Sequence, residues 1–171
     1  MPDILLVDGY NIINASNRLK KLPIEQSRDE LCSRLYDYAA FRGYDDLIIV
    51  FDAHMQKTPR HVEETEGGLV VYTAPGETAD NYIERTVRLL YAPKTNIRVA
   101  TSDGVEQVMI MGYAQRMSAR ELLEDIRRVR EEYRSDYIGS RAFKPRSSTL
   151  EGRLSDDHKR IFEILRRGGK L

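Results

Sequence analysis

At 171 residues, with 41% hydrophobic and 32% charged side chains, the sequence fits one globular domain and excludes a disordered chain. No run approaches the roughly 18 apolar residues of a membrane span, and the start Met-Pro-Asp lacks the basic region of a signal peptide, so we expect a cytoplasmic protein with no membrane partner. The zero net charge argues against a generic nucleic-acid coat, and the single cysteine, Cys32, excludes an intramolecular disulfide and a zinc-thiolate cluster.

Apolar patterning alternates between strand-like runs and helical spacing along the chain. Short continuous apolar runs are typical of buried strands, and repeats at three and four residues are typical of helices. In chain order the patterns predict a strand at 4–7, a helix at 24–41 ended by Gly43, strands at 47–51 and 69–72, a helix at 78–90, a strand at 97–100, a helix at 105–111, a short edge strand at 114–117 and a helix at 118–133.

This alternation predicts an α/β fold of three layers. Parallel strands need crossover connections, and continuously apolar strands must be covered on both faces. We therefore expect a mainly parallel sheet of four to five strands between two helical layers, occupying residues 1–137. Residues 138–171 form a basic loop and a short helix, starting at Ser155 and ending near Arg167, which pack on or extend the same domain.

Four aspartates follow the predicted strands. Asp8, Asp52 and Asp103 come directly after apolar runs, and Asp80 opens the helix that follows another run. In a parallel sheet, ligands bind at the carboxyl ends of the strands. At about 4 Å and an effective dielectric near 20, each like-charged pair costs on the order of 4 kcal/mol, so a cation must compensate. An all-carboxylate set selects Mg²⁺ or Mn²⁺, which activates water for phosphodiester hydrolysis.

Each aspartate also has a simpler interpretation. Asp after a strand commonly forms a turn or caps a helix, and only the set of four favours a metal site. Three further side chains are candidates for orienting a ligand or a metal-bound water: Asn11, Asn81 and Glu84. His54 and His61 flank a loop, where histidines are more often simply exposed than functional.

Motifs for other phosphate chemistry are absent from the sequence. The glycine-rich signatures of dinucleotide-binding and P-loop proteins do not occur, so we expect no nucleotide cofactor. A haloacid-dehalogenase phosphatase would carry a second Asp at the position of Tyr10. The nucleophile elbow of serine hydrolases is also missing.

Charge is unevenly distributed along the chain. From Arg141 onward there are 9 Lys and Arg against 4 Asp and Glu, a charge of +5, whereas the preceding residues carry 18 against 23, a charge of −5. An acidic body with a basic C-terminal segment is typical of a metal pocket joined to a polyanion contact. A solvated helix with scattered arginines explains the same charges equally well.

The ordered motifs resemble those of the NYN-domain ribonucleases of the PIN-like superfamily, and most closely the YacP-like branch. The matching segments span nearly the whole chain and are Val7-Asp8-Gly9-Tyr10-Asn11, Phe51-Asp52-Ala53-His54, Glu77-Thr78-Ala79-Asp80-Asn81-Tyr82-Ile83-Glu84, Thr101-Ser102-Asp103-Gly104 and Ser118-Ala119-Arg120-Glu121-Leu122. The resemblance implies a PIN-like fold in which Asp8, Asp52, Asp80 and Asp103 bind the metal and Asn11 is the motif asparagine.

The resemblance also implies a substrate. The YacP-like branch looks like a ribosome-associated endoribonuclease that cuts mRNA in the decoding site, which makes mRNA and ribosomal RNA the expected partners. The basic residues Arg141, Lys144 and Arg146 are compatible with contact to RNA phosphates. Two alternatives stay open: a non-catalytic RNA- or ribosome-binding protein of the same fold, and a small-molecule metal phosphatase with an apolar pocket.

Overall fold

The computed structural model describes residues 3–53, 59–102 and 112–139, together with Glu163 and Leu165. Its elements alternate along the chain as a parallel α/β fold requires. They are β1 (Asp3–Asp8), α1 (Gly9–Ala15), a 3-10 turn (Leu19–Lys21), α2 (Ile24–Arg42), β2 (Asp46–Phe51), β3 (His61–Thr65), β4 (Gly68–Tyr72), α3 (Ala79–Leu90), β5 (Asn96–Thr101), β6 (Gln115–Ser118) and α4 (Ala119–Gly139).

The described strands form one sheet of six, in the order β3-β4-β2-β1-β5-β6. All neighbours run parallel except β3 and β4, which form an antiparallel pair at one edge. The expected α/β fold is confirmed, but the expected count of four to five strands is wrong. The additional strand is β3, whose sequence His-Val-Glu-Glu-Thr contains no apolar run. It was not predicted because its side chains are largely exposed at the sheet edge and its backbone is held by pairing with β4.

Two cores cover the two faces of the sheet. Along β1, Leu5 and Val7 pack against α1, α2 and α4, whereas Ile4 and Leu6 pack against α3. This alternation follows from the two-residue period of a strand. Leu165, from the C-terminal segment, is buried in the second core. The arrangement is the three-layer architecture that the sequence predicts.

Helix α1 begins where a turn alone was expected. It follows β1 without a loop, and Gly9 lets it approach β2 closely, because a Cβ at Gly9 would lie 2.3 Å from Cε1 of Phe51. No real Cβ tolerates that distance to a buried ring. The glycine therefore allows a tight strand-to-helix junction, in which Asp8 caps the helix and Asn11 lies in its first turn.

The remaining helix predictions agree with the structure where it describes them. Helix α2 ends at Gly43, which takes the left-handed conformation with φ of 76°. The capping box of α4 is formed, since Ser118 N donates to Glu121 Oε2 at 2.7 Å and Glu121 N donates to Ser118 Oγ at 3.1 Å. The predicted helix at 105–111 and most of the C-terminal helix lie outside the described residues. None of the helices in the described part of the chain is long and apolar enough to cross a membrane.

Candidate active site

The chain changes direction across the sheet at β1. From β1 it proceeds to β2 on one side, and it later returns to β5 on the other side, so the carboxyl end of β1 is a topological switch point. Open α/β sheets bind their ligands in the crevice at such a point. Asp8 ends β1, Asp52 directly follows β2, and Thr101 ends β5.

Asp8 is buried at this junction and its two carboxylate oxygens are held by Asn11. The side chain is the N-cap of α1, because Asn11 N donates to Asp8 Oδ1 at 3.3 Å. The amide Nδ2 of Asn11 donates to Asp8 Oδ2 at 2.8 Å and to Thr101 Oγ1 at 3.4 Å. Asn11 therefore links the end of β1 to the end of β5 and lies beside Asp8.

The pKa of the Asp8 carboxyl is raised to about 7. Burial is the main cause, and the nearby charges of Asp80 and Asp52 add to it, while the backbone hydrogen bond from Asn11 opposes the shift. The three carboxylates therefore share one electrostatic environment. A negative charge on Asp8 is unfavourable there unless a cation is close.

Asp52 is fixed against the start of α3. Its Oδ2 accepts a hydrogen bond from Ala79 N, the first residue of that helix, at 3.2 Å. Asp80 is the next residue along, in the first helical turn as predicted. The start of α3 thus contacts one predicted acid and carries another.

Thr73 connects the loop that follows β2, which carries Asp52, to the loop that precedes α3. It is fully buried just after β4. Its Oγ1 accepts from Ala53 N at 2.9 Å and donates to the carbonyl of Glu77 at 2.8 Å. Neither Thr73 nor Thr101 was a predicted site residue. Their place directly after an apolar run, the same position that singled out the aspartates, was the available signal.

Glu77 anchors the loop before α3 through two arginines. Its carboxylate accepts hydrogen bonds from Arg60, including one from Nε at 3.1 Å, and from Arg85, and it also accepts from Ala74 N at 3.2 Å. Although burial opposes ionisation, the hydrogen bonds from Arg60 and Arg85 hold the pKa of Glu77 below its usual range. Both guanidinium groups lie over the Tyr82 ring, within 6 Å of its centroid. This network fixes the loop that presents Asp80.

The structure describes some of the remaining predicted site residues and not others. Asn81 N donates to Thr78 Oγ1 at 3.2 Å, which is a helix cap, and Glu84 pairs with Arg88 at 2.7 Å along α3. His61 begins β3 rather than lying in a loop. The other predicted site residues lie outside the described residues, and these are Asp103, His54, Arg141, Lys144 and Arg146.

The three described acids do not form a closed coordination sphere. Among the described residues, no three His, Cys, Asp or Glu side chains lie close enough together to hold a metal ion. The donors nevertheless suit a hard cation, because Mg²⁺ keeps several waters and uses only one or two protein carboxylates. The charges of Asp80 and Asp52 add to burial in raising the pKa of Asp8, and a bound cation would offset both effects.

A groove between two helices lies away from the acids. It measures about 610 Å³ and runs between α2 and α4, with Tyr38, Ile126 and Tyr133 among its lining residues. None of the predicted acids lines it. A small-molecule phosphatase that used this groove would therefore lack its metal ligands.

Three comparisons place the chain among known proteins. The family model of the YacP-like NYN domain matches residues 5–167. The protein YacP of Bacillus subtilis (strain 168) is 39% identical over 172 residues, covering 97% of this chain and 98% of the relative. The crystal structure of Rae1 (YacP) from Bacillus subtilis matches with a TM-score of 0.67 and 37% identity, covering 98% of this chain and 96% of that chain. A single-residue mutant of the same protein matches with a TM-score of 0.67 and 34% identity, covering 95% of this chain and 99% of that chain.

Proposed function

Since the chain belongs to the YacP-like NYN domain family, a nuclease family, we propose that it is a metal-dependent endoribonuclease. One observation carries the proposal: Asp8 is buried at the switch point of the sheet, and this burial, together with the nearby charges of Asp80 and Asp52, raises its pKa to about 7. Groups whose pKa is shifted by burial and by like charges are concentrated at functional sites.

The cofactor of this proposal is Mg²⁺ or Mn²⁺. One or two of Asp8, Asp52 and Asp80 would bind the ion directly and the rest would contact its waters, with Asp103 as the fourth predicted ligand. When bound, the ion activates the attacking water and neutralises charge on the oxygens of the scissile phosphodiester. The carboxylates suit this ion rather than zinc, because hard divalent cations prefer oxygen donors.

The chain's own residues keep these carboxylates in position. Asn11 fixes both oxygens of Asp8, so the plane of that carboxylate is set before any ligand arrives. Ala79 N fixes one oxygen of Asp52. Arg60 and Arg85, through Glu77, hold the loop that precedes α3, the helix that carries Asp80. Such outer contacts orient metal ligands and sustain activity.

The substrate of the proposal is mRNA, cut in the decoding site of the translating ribosome in the cytoplasm. Its support is the family resemblance together with the basic C-terminal segment. Arg141, Lys144 and Arg146 would contact ribosomal RNA by neutralising phosphates. A nuclease that acts on a ribosome-bound strand needs both a cleavage site and a separate surface for docking.

A non-catalytic RNA- or ribosome-binding protein is the second candidate. The observation that favours it is the open arrangement of the acids, none of which completes a three-ligand set within the described residues. The grouped carboxylates argue against this candidate, because they would repel an RNA phosphate, and a protein that only binds phosphate would carry Lys and Arg there instead.

The test is cleavage of labelled RNA, free and on translating ribosomes. Free RNA should be cut in Mg²⁺ and left intact in EDTA. Because ribosomes themselves need Mg²⁺, the control on ribosomes is a variant rather than a chelator: Asp52→Asn should bind ribosomes and leave mRNA intact. Asp37→Asn, at an exposed position on α2, should cut like wild type. Ribosome binding without any cleavage by wild type would establish the non-catalytic candidate instead.

A further inference from the structure

A row of stacked rings crosses one face of the sheet near its carboxyl edge. The rings of His61 and Tyr72 are 4.5 Å apart and almost parallel, at 13°. Tyr72 stacks on Phe51 at 5.7 Å and 25°, and Phe51 meets Tyr10 at 5.1 Å and 59°. The register explains the row, because His61 and Phe51 are the partners of Tyr72 on the neighbouring strands. We define these four residues as the aromatic row.

The inner end of the aromatic row lies beside the predicted acids. Phe51 directly precedes Asp52, and Tyr10 stands between Asp8 and Asn11 in the sequence. Phe51 is fully buried, whereas Tyr10 and Tyr72 are partly exposed and the His61 side chain is 48% exposed. The row thus leads from the candidate active site to an open aromatic surface on the edge strand β3.

A cation accompanies the row. The Arg28 guanidinium lies 5.6 Å from the centroid of the Tyr72 ring, and its Nη1 donates to the Tyr10 hydroxyl at 3.4 Å. Arg28 is on α2, so the helix layer supplies a positive charge beside rings that belong to the sheet and to α1. Aromatic faces next to a basic group are the features by which proteins bind single-stranded nucleic acid.

Core packing alone explains Phe51 but not His61. A half-exposed imidazole at the start of an edge strand buries little apolar area, so its parallel stack on Tyr72 contributes little to the core. The stack holds the ring with one face against Tyr72, and Nε2 lies 3.1 Å from Glu63 Oε1 at the ring edge, while 48% of the side chain is exposed to a planar ligand. Every nucleobase has a face that can stack in this way.

We propose that the aromatic row is a base-binding subsite for single-stranded RNA, with one nucleobase stacked on His61 and Arg28 close to the adjoining phosphate. The identity of the ligand rests on the proposed endoribonuclease function. The subsite would hold a nucleotide at the outer end of the aromatic row and direct the strand along the row toward the acids. It would favour unpaired RNA, because a paired base cannot offer its face to a side chain.

The experiment measures binding of short unstructured RNA by fluorescence anisotropy in an Asp80→Asn background, where cleavage is blocked. His61→Ala in that background should weaken binding by about 5- to 150-fold, the range for loss of one base–aromatic stack. His61→Phe should bind like the background protein, because it keeps the ring and loses only the imidazole nitrogens. The same binding measurement is repeated with RNAs that lack one base, and the abasic position is moved along the strand. At a single position the missing base should weaken binding to the background protein, and at that position its loss should leave the affinity of His61→Ala unchanged.

Several outcomes overturn the subsite. These are unchanged affinity in His61→Ala, weakening by His61→Phe as large as that by His61→Ala, and an abasic penalty that persists in His61→Ala. Failure of the proposed function gives a different pattern: wild type would leave every RNA intact in Mg²⁺ while the coupling between His61 and one base remained. Normal cleavage by His61→Ala with the KM of wild type would remove the subsite and leave the nuclease standing.

Discussion

Asn11 holds both oxygens of Asp8: its backbone N donates to Oδ1 at 3.3 Å and its side-chain Nδ2 donates to Oδ2 at 2.8 Å. The same Nδ2 reaches Thr101 Oγ1 at 3.4 Å. A single residue on the first turn of α1 therefore sets the orientation of the acid at the end of β1 relative to the end of β5. The orientation of a metal ligand commonly depends on such a partner.

Replacing this partner should weaken the site without unfolding the protein. Asn11→Ala removes the side-chain donor but keeps the backbone N that caps α1, so Asp8 loses its fixed orientation. We expect about 10- to 100-fold lower RNA cleavage, the usual cost of losing a residue that orients a metal ligand. Asn14→Ala, at an exposed position on the same helix, is the matched control and should cleave normally. Equal rates for the two variants would show that Asn11 does not position Asp8.

The stability of the metal-free protein should fall as pH rises. The folded Asp8 carboxyl keeps its proton up to a pKa of about 7, whereas in the unfolded chain it ionises near 3.8. Between these values the folded state binds more protons, so its free energy of unfolding decreases with pH, by on the order of 4 kcal/mol in total. Urea denaturation in EDTA at pH 5 and pH 8 measures the loss. Asp8→Asn should reduce it, and an unchanged pH dependence in that variant would contradict the shifted pKa.

Divalent metal should reverse that instability. Millimolar Mg²⁺ or Mn²⁺ should raise the melting temperature, because a ligand that binds only the folded state stabilises it by mass action. The increase should disappear in Asp52→Asn, although its side-chain oxygen can still accept from Ala79 N and keep the helix start in place. Differential scanning fluorimetry across a metal titration makes the measurement. A flat response in wild type would count against a metal site.

The basic C-terminal residues should affect binding and not chemistry. Replacing Arg141, Lys144 and Arg146 by Ala should weaken ribosome or RNA association and flatten its salt dependence by roughly 0.7 to 0.9 in slope per lost phosphate contact. Metal-dependent thermal stabilisation should be retained, since these residues are not ligands. Asp80→Asn should show the reverse behaviour, with normal co-sedimentation on ribosomes and intact mRNA. If the triple variant sediments with the wild-type salt slope, these side chains are a solvated loop.

The sequence predicted the strand ends better than the contacts made there. Continuous apolar runs located β1, β2, β4 and β5, and parallel pairing then brought Asp8 and Asp52 to one edge of the sheet. Helix α1 and strand β3 were missed for physical reasons. Helix α1 has only 7 residues and depends on Asp8 as its cap, and β3 has no apolar run because it is stabilised by pairing with β4.

Long-range contacts within the site were beyond local patterns. The hydrogen bond between Asn11 and Thr101 joins residues 90 positions apart, and the bond from Ala79 to Asp52 spans 27. Periodicity and turn chemistry carry no information at such separations. The aromatic row has the same origin, since His61 and Phe51 meet Tyr72 only through the register of three strands. These residues were visible in the sequence, but their grouping required the sheet.

The central claim is that the acids at the carboxyl edge of the sheet support metal-dependent cleavage of RNA. The most direct measurement is the rate at which a labelled RNA is cut in Mg²⁺ by wild type, Asp8→Asn and Asp103→Asn, each with its melting temperature recorded beforehand. We predict cleavage by wild type, no cleavage above background by either variant, and melting temperatures barely lowered, because removing one of several mutually repelling carboxylates relieves strain in the metal-free fold. Cleavage by both variants at the wild-type rate would contradict the assignment of the site.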